Sequence, residues 1–497
     1  MTEPRTNTFL KGLSVQTIVT IVMGMMEMVL FALFSRLLSK SDFGYFAAMM
    51  GVIAICQSIS EAGLGASIIQ KKDASERFVS TAFTLSISIG VIFSVLIFFL
   101  STVLARLVAD DYLSGPLKIM STSFILNSLI SVGFAQLYRQ LKFKQVGLIR
   151  CFSYSLAGVV GIIMALKGFG LYSIVAYTLL ESLFVIIILY STCVQIPSFS
   201  FSKSDSKGII HFGGWLTLGV ILNNITRQMD KVITSKLISV EALGSYNRPA
   251  GFVSNLTSRL TGIFDNVLFP MLSDLQDQKE RVIATFYKAV SLLNSISAVL
   301  SVIFFFNAEL VITVFFGQKW MELVPIMRIV SISVLFNVDG QLVDCFFRSL
   351  NYVKTGFFIR LLAAVVTLAS IVIGAQNGIT GLAVGLVVSN IAIILIKVIT
   401  LTVKVHADLR LVFVAWLKAW KPVLPLIAVG IASMFIENSI VKYISVAAFF
   451  SIIIFVEFAI WPNMVSKTYT ETIYPYVLSV TGKILRKNNE KCVKESL

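Results

Sequence analysis

Long apolar runs alternate with short polar intervals along the whole chain. The runs lie at roughly 13–35, 44–68, 79–105, 119–138, 150–166, 169–194, 211–235, 247–271, 284–305, 325–347, 356–375, 379–401, 422–436 and 443–461. About 20 helical residues cross a hydrocarbon core of about 30 Å, so the pattern predicts about fourteen transmembrane helices. The first run is too long for the apolar stretch of a secretory signal, and no small-residue cleavage site follows it. It is expected to stay as the first span. The stretch 308–317 is apolar but too short to cross, which predicts an external loop or a re-entrant piece. Between spans 12 and 13, Leu409, Leu411, Val412 and Trp416 mix with Lys418. That mixture predicts an amphipathic helix on the inner surface.

Composition narrows the class. Of 497 residues, 57% are hydrophobic and only 13% charged, with a mean hydropathy of +0.87. Soluble domains carry about 25% charged residues, so a water-soluble enzyme and a disordered chain are both excluded. The fold class expected is an all-α polytopic membrane protein. The net charge of +15 does not imply nucleic acid, because the basic residues sit in short loops and not on one soluble face. Five scattered cysteines form no CxxC pair, and those within apolar runs are expected to be free thiols. With only His211 and His406 present, no His-based metal site is legible, and no cofactor is expected. No HExxH, GxxxxGK[ST] or GxSxG motif appears, and the outer loops are too short to house an active site. An enzyme is not expected.

Charge distribution sets the orientation. With the N-terminus inside, inner segments and tail carry 28 Lys/Arg and the outer loops 10; Arg227, Lys231 and Arg259 fall within spans. The excess predicts cytoplasmic termini and an even number of spans. The segment after 461 ends in a basic stretch that includes Lys483, Arg486 and Lys487, suited to retention beside anionic lipid.

An internal repeat is visible at a shift of 200. RLLSKSDFGYF (36–46) aligns with KLISVEALGSY (236–246), pairing Leu37/Leu237, Ser39/Ser239 and Gly44/Gly244, and Gly51/Gly251 follow. At a shift of 204, ERFVSTAF (76–83) aligns with ERVIATFY (280–287). Two six-helix bundles in the same orientation follow, a parallel repeat with two extra C-terminal helices. Transporters built this way bind substrate near the midplane and rock one half against the other. The expected organisation is an N-terminal bundle at 1–200, a C-terminal bundle at 201–405, an inner amphipathic linker with helices 13 and 14 at 406–461, and a basic cytoplasmic tail at 462–497.

Polar residues inside spans concentrate on the repeat-equivalent helices 1, 2, 7 and 8. Span 7 carries Asn223, Arg227, Asp230 and Lys231 at i, i+4, i+7 and i+8, with Asn224 adjoining, and such spacing is one helical face. Span 8 adds Asn255, Arg259 and Asp265; span 1 carries Glu27; span 2 carries Gln57 and Glu61. A charge at a span centre costs about 2.5–3.5 kcal/mol on insertion scales and is usually kept for a cavity. Arg227, Lys231 and Arg259 are candidates to hold an anionic group such as phosphate. Asn223, Asn224, Asn255 and Gln57 are candidate cavity polar groups, and Glu27, Glu61, Asp230 and Asp265 candidate ion-coupling carboxylates. The structural alternative is static Arg227–Asp230 and Lys231–Asp265 pairs that fix packing. Asp339, Gln341, Asp344, Glu181 and Glu457 are expected to serve packing. Trp320, Trp420 and Tyr443 are expected at the membrane interfaces.

Four segments carry a family resemblance: SRLLSKSDFGYFAAMMGVIAICQSISEAGLGASIIQKKDASE (35–76), TRQMDKVITSKLISVEALGSYNRPAGFV (226–253), NVLFPMLSDLQDQKERV (266–282) and FFRSLNYVKTGFFIRL (346–361). Through them the chain resembles Wzx-type polysaccharide exporters, particularly the WzxC-like branch. These are lipid-linked oligosaccharide flippases of the multidrug/oligosaccharidyl-lipid/polysaccharide superfamily. The resemblance implies a V-shaped pair of six-helix bundles that open alternately, with spans 1, 2, 7 and 8 lining a cationic cavity. It implies an undecaprenyl-diphosphate-linked repeat unit as cargo, for capsule, exopolysaccharide or O-antigen, in a bacterial inner membrane. Its pyrophosphate would meet Arg227, Lys231 or Arg259. Membrane lipid, a polysaccharide polymerase and a chain-length regulator are the implied partners. Two other functions fit less well. An antiporter of cationic drugs needs an acidic cavity, whereas spans 7 and 8 set three cations beside two Asp. A membrane polymerase or ligase needs a sizeable outer loop.

Overall fold

The structure, a computed structural model, describes residue 19 and residues 22–61, 64–70, 75–140, 142–192, 196–275, 278–421, 423–433 and 435–436. Among these residues there is no strand. The helices are α1 (22–37), α2 (Lys40–Glu61), α3 (Leu64–Gln70), α4 (Glu76–Val108), α5 (Ser114–Met120), α6 (Ser123–Arg139), α7 (Phe143–Leu166), α8 (Leu171–Thr192) and α9 (Lys203–Leu237). They continue as α10 (Val240–Asp274), α11 (Lys279–Phe306), α12 (Ala308–Val311), α13 (Val324–Ser349), α14 (Val353–Ala375), α15 (Gly378–Val405), α16 (Leu409–Ala419) and α17 (Val423–Ser433). A helix lies at each of the first twelve predicted runs. Nine spans among the described residues are long and apolar enough to cross a membrane, or ten if α16 and α17 are one. The chain is a multi-pass membrane protein. The fourteenth run lies outside the described residues. The apolar stretch after α12 folds as a π turn, Ile312–Phe316, and a 3-10 turn, Gln318–Leu323.

Packing divides the chain into two compact units. The first is Met1–Arg248 with Ile312–Met321 and Ile371–Ile379; the second is Pro249–Val311, Glu322–Ser370 and Thr380–Leu497. In the first, Met49 and Ile53 of α2, Ile97 of α4, Leu117 of α5 and Val175 of α8 share one core. Leu64 and Ile68 of α3, Phe83 of α4, Val132 of α6 and Ile209 of α9 share a second. α9 also packs along α2. The long segment of the first unit accordingly runs to Arg248, within α10. Gly158 and Gly161 let α7 approach Leu30 and Phe34 of α1 and Tyr177 of α8.

The two repeated segments fold alike and meet inside this first unit. Ser39 accepts from the Asp42 amide at 3.1 Å, and Ser239 from the Ala242 amide at 3.0 Å. Both serines therefore cap the N-terminus of the helix that follows them. Gly44 and Gly244 sit where the two helices touch. A Cβ on Gly44 would overlap the Val240 carbonyl, and one on Gly244 the Lys40 carbonyl. Only glycine allows that approach.

In the second unit α11 pairs with α13. A helix, α16, lies where the amphipathic helix is predicted, and it packs against α11. After a turn with His406 at φ 57°, Asp408 caps α16 by accepting from the Arg410 amide at 2.8 Å. The Tyr287 hydroxyl accepts from the Asp408 amide at 2.8 Å and donates to its carbonyl at 3.0 Å. α16 then bends by 48° into α17. Val423 and Leu426 pack with Ala298, Val299 and Val302, and Gly430 faces Phe306. Contacts running from Tyr287 to Phe306 follow α11 for about 28 Å at 1.5 Å per residue. α16 buries Val412 and Ala415 and leaves Leu411, Phe413 and Leu417 exposed. The described cysteines are free thiols, Cys345 buried and Cys56 and Cys151 half-buried.

Gly44→Ala and Gly244→Ala are expected to lower the thermal midpoint of the purified protein, since overpacking costs about 1–3 kcal/mol. Gly251→Ala meets open space and is expected to leave the midpoint unchanged. Equal midpoints for all three would show that the helices do not cross at these glycines.

Candidate functional site

Of the predicted site residues, Glu27, Gln57, Asn224, Asp230, Lys231 and Asn255 are described. The side chains of Glu61, Asn223, Arg227, Arg259 and Asp265 lie outside the described residues. On α9, Asn224, Asp230 and Lys231 are half-buried. One Asp230 carboxylate oxygen accepts the Lys231 amide at 2.8 Å, and the Tyr246 phenol faces the same carboxylate. Gly51 of α2 faces Lys231, Val232 and the Gln228 carbonyl. Packing therefore sets Lys231 of α9 against α2, the helix that carries half-buried Gln57. Asn255 belongs to the second unit and is exposed.

Glu27 joins a group that local periodicity did not reveal. It lies within electrostatic range of Glu181 on α8, which in turn lies near Tyr177 and within electrostatic range of Arg150 of α7. Tyr177 is hydrogen-bonded to Tyr154, with ring centroids 5.7 Å apart. Glu181 is thus a member of a polar chain across α1, α7 and α8.

The second unit has its own polar layer. Asp339 on α13 is buried and accepts from the Asn294 side chain on α11 at 2.7 Å. Gln341 accepts from Thr261. Lys397, buried on α15, donates to Asp344 at 2.9 Å and to the Gly340 carbonyl at 3.2 Å. The sequence assigns Lys397 to an inner segment, because it lies near the end of its apolar run. Its burial beside Asp344 is a tertiary fact. The predicted packing role of Asp339, Gln341 and Asp344 matches these contacts between helices.

Two residues at one end of the first unit also depart from expectation. Trp320 is fully buried, not an interfacial anchor, and its indole N–H donates to the Ser35 carbonyl at 2.9 Å. Arg248, counted as an outer-loop cation, is buried with its guanidinium carbon 3.8 Å from the Phe31 ring centre and 3.4 Å from that of Phe43. A basic residue close to aromatics in the segments around Phe31, Arg248 and Trp320 was the available sequence signal. It was indistinct because the segments are far apart in the chain.

Comparison with known proteins supplies the family. A family profile described as "Polysaccharide biosynthesis protein" matches residues 33–325. The chain is 24% identical over 387 residues to "Lipopolysaccharide biosynthesis protein WzxC" of Escherichia coli (strain K12), covering 77% of each chain. It is 26% identical over 353 residues to "Succinoglycan biosynthesis transport protein ExoT" of Rhizobium meliloti (strain 1021), covering 69% of this chain and 70% of that one. The fold is similar to "Lipid II flippase MurJ, inward closed conformation", with a TM-score of 0.73 at 14% identity over 92% of this chain and 99% of that one.

Lys397→Met is expected to destabilise the protein by about 3 kcal/mol, because Asp344 loses its cation inside a packed unit. The double change Lys397→Met with Asp344→Leu is expected to recover most of that loss. Unfolding midpoints in mixed micelles measure both. A silent Lys397→Met would mean that the pair contributes nothing to the unit.

Proposed function

The chain belongs to the polysaccharide biosynthesis protein family, and on that premise we propose that it flips lipid-linked oligosaccharide repeat units across the cytoplasmic membrane. The observation that carries this reading is the family match together with relatives, named for polysaccharide biosynthesis and transport, that align over more than two thirds of the chain. The cargo is an undecaprenyl-diphosphate-linked repeat unit for capsule, exopolysaccharide or O-antigen. Both termini lie in the cytoplasm, as the 28 to 10 bias in Lys/Arg favours.

The chemistry of such a cargo sets what the cavity must supply. A pyrophosphate loses its hydration when it enters a membrane protein, so cations must replace the lost water. Lys231 and Arg227 on α9 and Arg259 on α10 take that role. The sugar hydroxyls need groups that both donate and accept, and the amides of Asn223, Asn224, Asn255 and Gln57 do both. The lipid tail stays in the bilayer. The two repeats, each of six spans, rock so that the cavity faces one side at a time. Among the carboxylates, Glu27, Glu61, Asp230 and Asp265 balance the cations or carry a coupling ion. α16 and α17 form one bent crossing along α11, the first of two spans added after the repeats.

Complementation tests this. Deletion of the gene, in a strain with no second flippase, is expected to stop surface polymer and to accumulate lipid-linked precursor. Lys231→Ala or Arg227→Ala, at matched membrane levels, is expected to cut polymer about tenfold or more, since a charged hydrogen bond contributes about 1.5–3 kcal/mol. Unchanged polymer and precursor on deletion would sink the flippase reading. Full activity of both substitutions would sink the site assignment alone.

A further inference from the structure

Three segments distant in sequence close on one another at one end of the first unit. They are the end of α1 with the turn into α2, the start of α10, and the turn at 312–321. The Arg248 guanidinium lies between the rings of Phe31 and Phe43, 3.8 and 3.4 Å from their centres. It donates to the Ser35 hydroxyl and, at 3.2 Å, to the Phe31 carbonyl. From the third segment, Trp320 donates to the Ser35 carbonyl at 2.9 Å, and Lys319 donates to the carbonyls of Arg36 and Leu38. Phe31 and Phe43 also pack on Phe316 and Trp320. The charge count assigns this end to the outer face.

The bonding is unusual for buried cations. Among the described residues no carboxylate pairs with Arg248, and its Nε–H is buried without an acceptor. A guanidinium held only by two rings, a hydroxyl and a carbonyl keeps much of its desolvation cost. Cation–π contact offsets part of it. A carboxylate partner would make this closure permanent. Leaving it out makes the closure reversible, because water entering from the outer side rehydrates the guanidinium and frees the α1 and α2 ends.

We propose that Arg248, clasped by Phe31, Phe43 and Ser35 and covered by Trp320 and Lys319, is a deliberately weak outer latch of the transport path. Shut, as here, it seals the outer end; broken, it releases cargo there. The inference rests on the alternating-access reading above but not on the nature of the cargo.

Thiol labelling in whole cells and in inverted vesicles tests it, with single cysteines in a background lacking the five native ones. Leu38→Cys, buried under the latch, is probed from outside with an impermeant maleimide. Gln57→Cys on α2 is probed from the cytoplasmic side. Trp320→Ala is expected to raise labelling at Leu38→Cys and to lower it at Gln57→Cys, each by about fivefold, as a shift of a two-state population requires. Arg248→Met fills the slot between the rings without the charge. It is expected to do the reverse at both positions and to reduce polymer output while membrane levels are maintained. If either variant alters labelling only at Leu38→Cys, or if Arg248→Met leaves both positions unchanged, the cluster is static packing and the latch is overturned. None of these labelling readouts needs a sugar cargo, so a failed latch and a failed flippase assignment are separable.

Discussion

Hydrocarbon offers no water to a backbone amide or to a charged side chain. Everything in this protein follows from meeting that constraint. Backbone groups are satisfied along helices, which is why the described residues contain no strand. Charged side chains find partners within packed units: Lys397 takes Asp344 and a backbone carbonyl, and Glu181 lies near Tyr177 and within electrostatic range of Arg150. Where a full partner is withheld, as at Arg248, the cost is kept for use and not removed.

The same constraint explains the role of glycine. Helices in lipid gain little from apolar burial against each other and depend on close packing. Gly44 and Gly244 bring the two repeated segments into backbone contact, while Gly158 and Gly161 bring α1 and α8 onto α7. The serines that precede the two repeated helices cap them in the same way. Of the residues that match between the two segments, Ser39/Ser239 supply the caps and Gly44/Gly244 the crossing.

The cations proposed to meet the cargo lie on α9 and α10. α9 runs for 35 residues and sets half-buried Asp230 and Lys231 against α2. A headgroup bearing phosphate needs such cations. The family match over residues 33–325 covers α2 through α12, so it includes this region and every latch residue except Phe31.

The amino-acid sequence by itself located most of the described helices, because crossing depth fixes the length of an apolar run. It also carried the family, since that is a property of residue identity along the chain. Only the tertiary structure decided what the polar groups meet. Lys397 looked like a residue of an inner loop, and Trp320 like an interfacial anchor. The alternation of Leu, Val and Lys in α16 gives one apolar face without saying that α11 covers part of it. Glu27 with Glu181, and Arg248 with Phe31 and Phe43, join residues more than 150 positions apart, or on opposite sides of a repeat. Periodicity reports which face of a helix is polar. It carries no information about which other helix that face is pressed against, and pairing across helices is what sets the charge balance of a site in lipid.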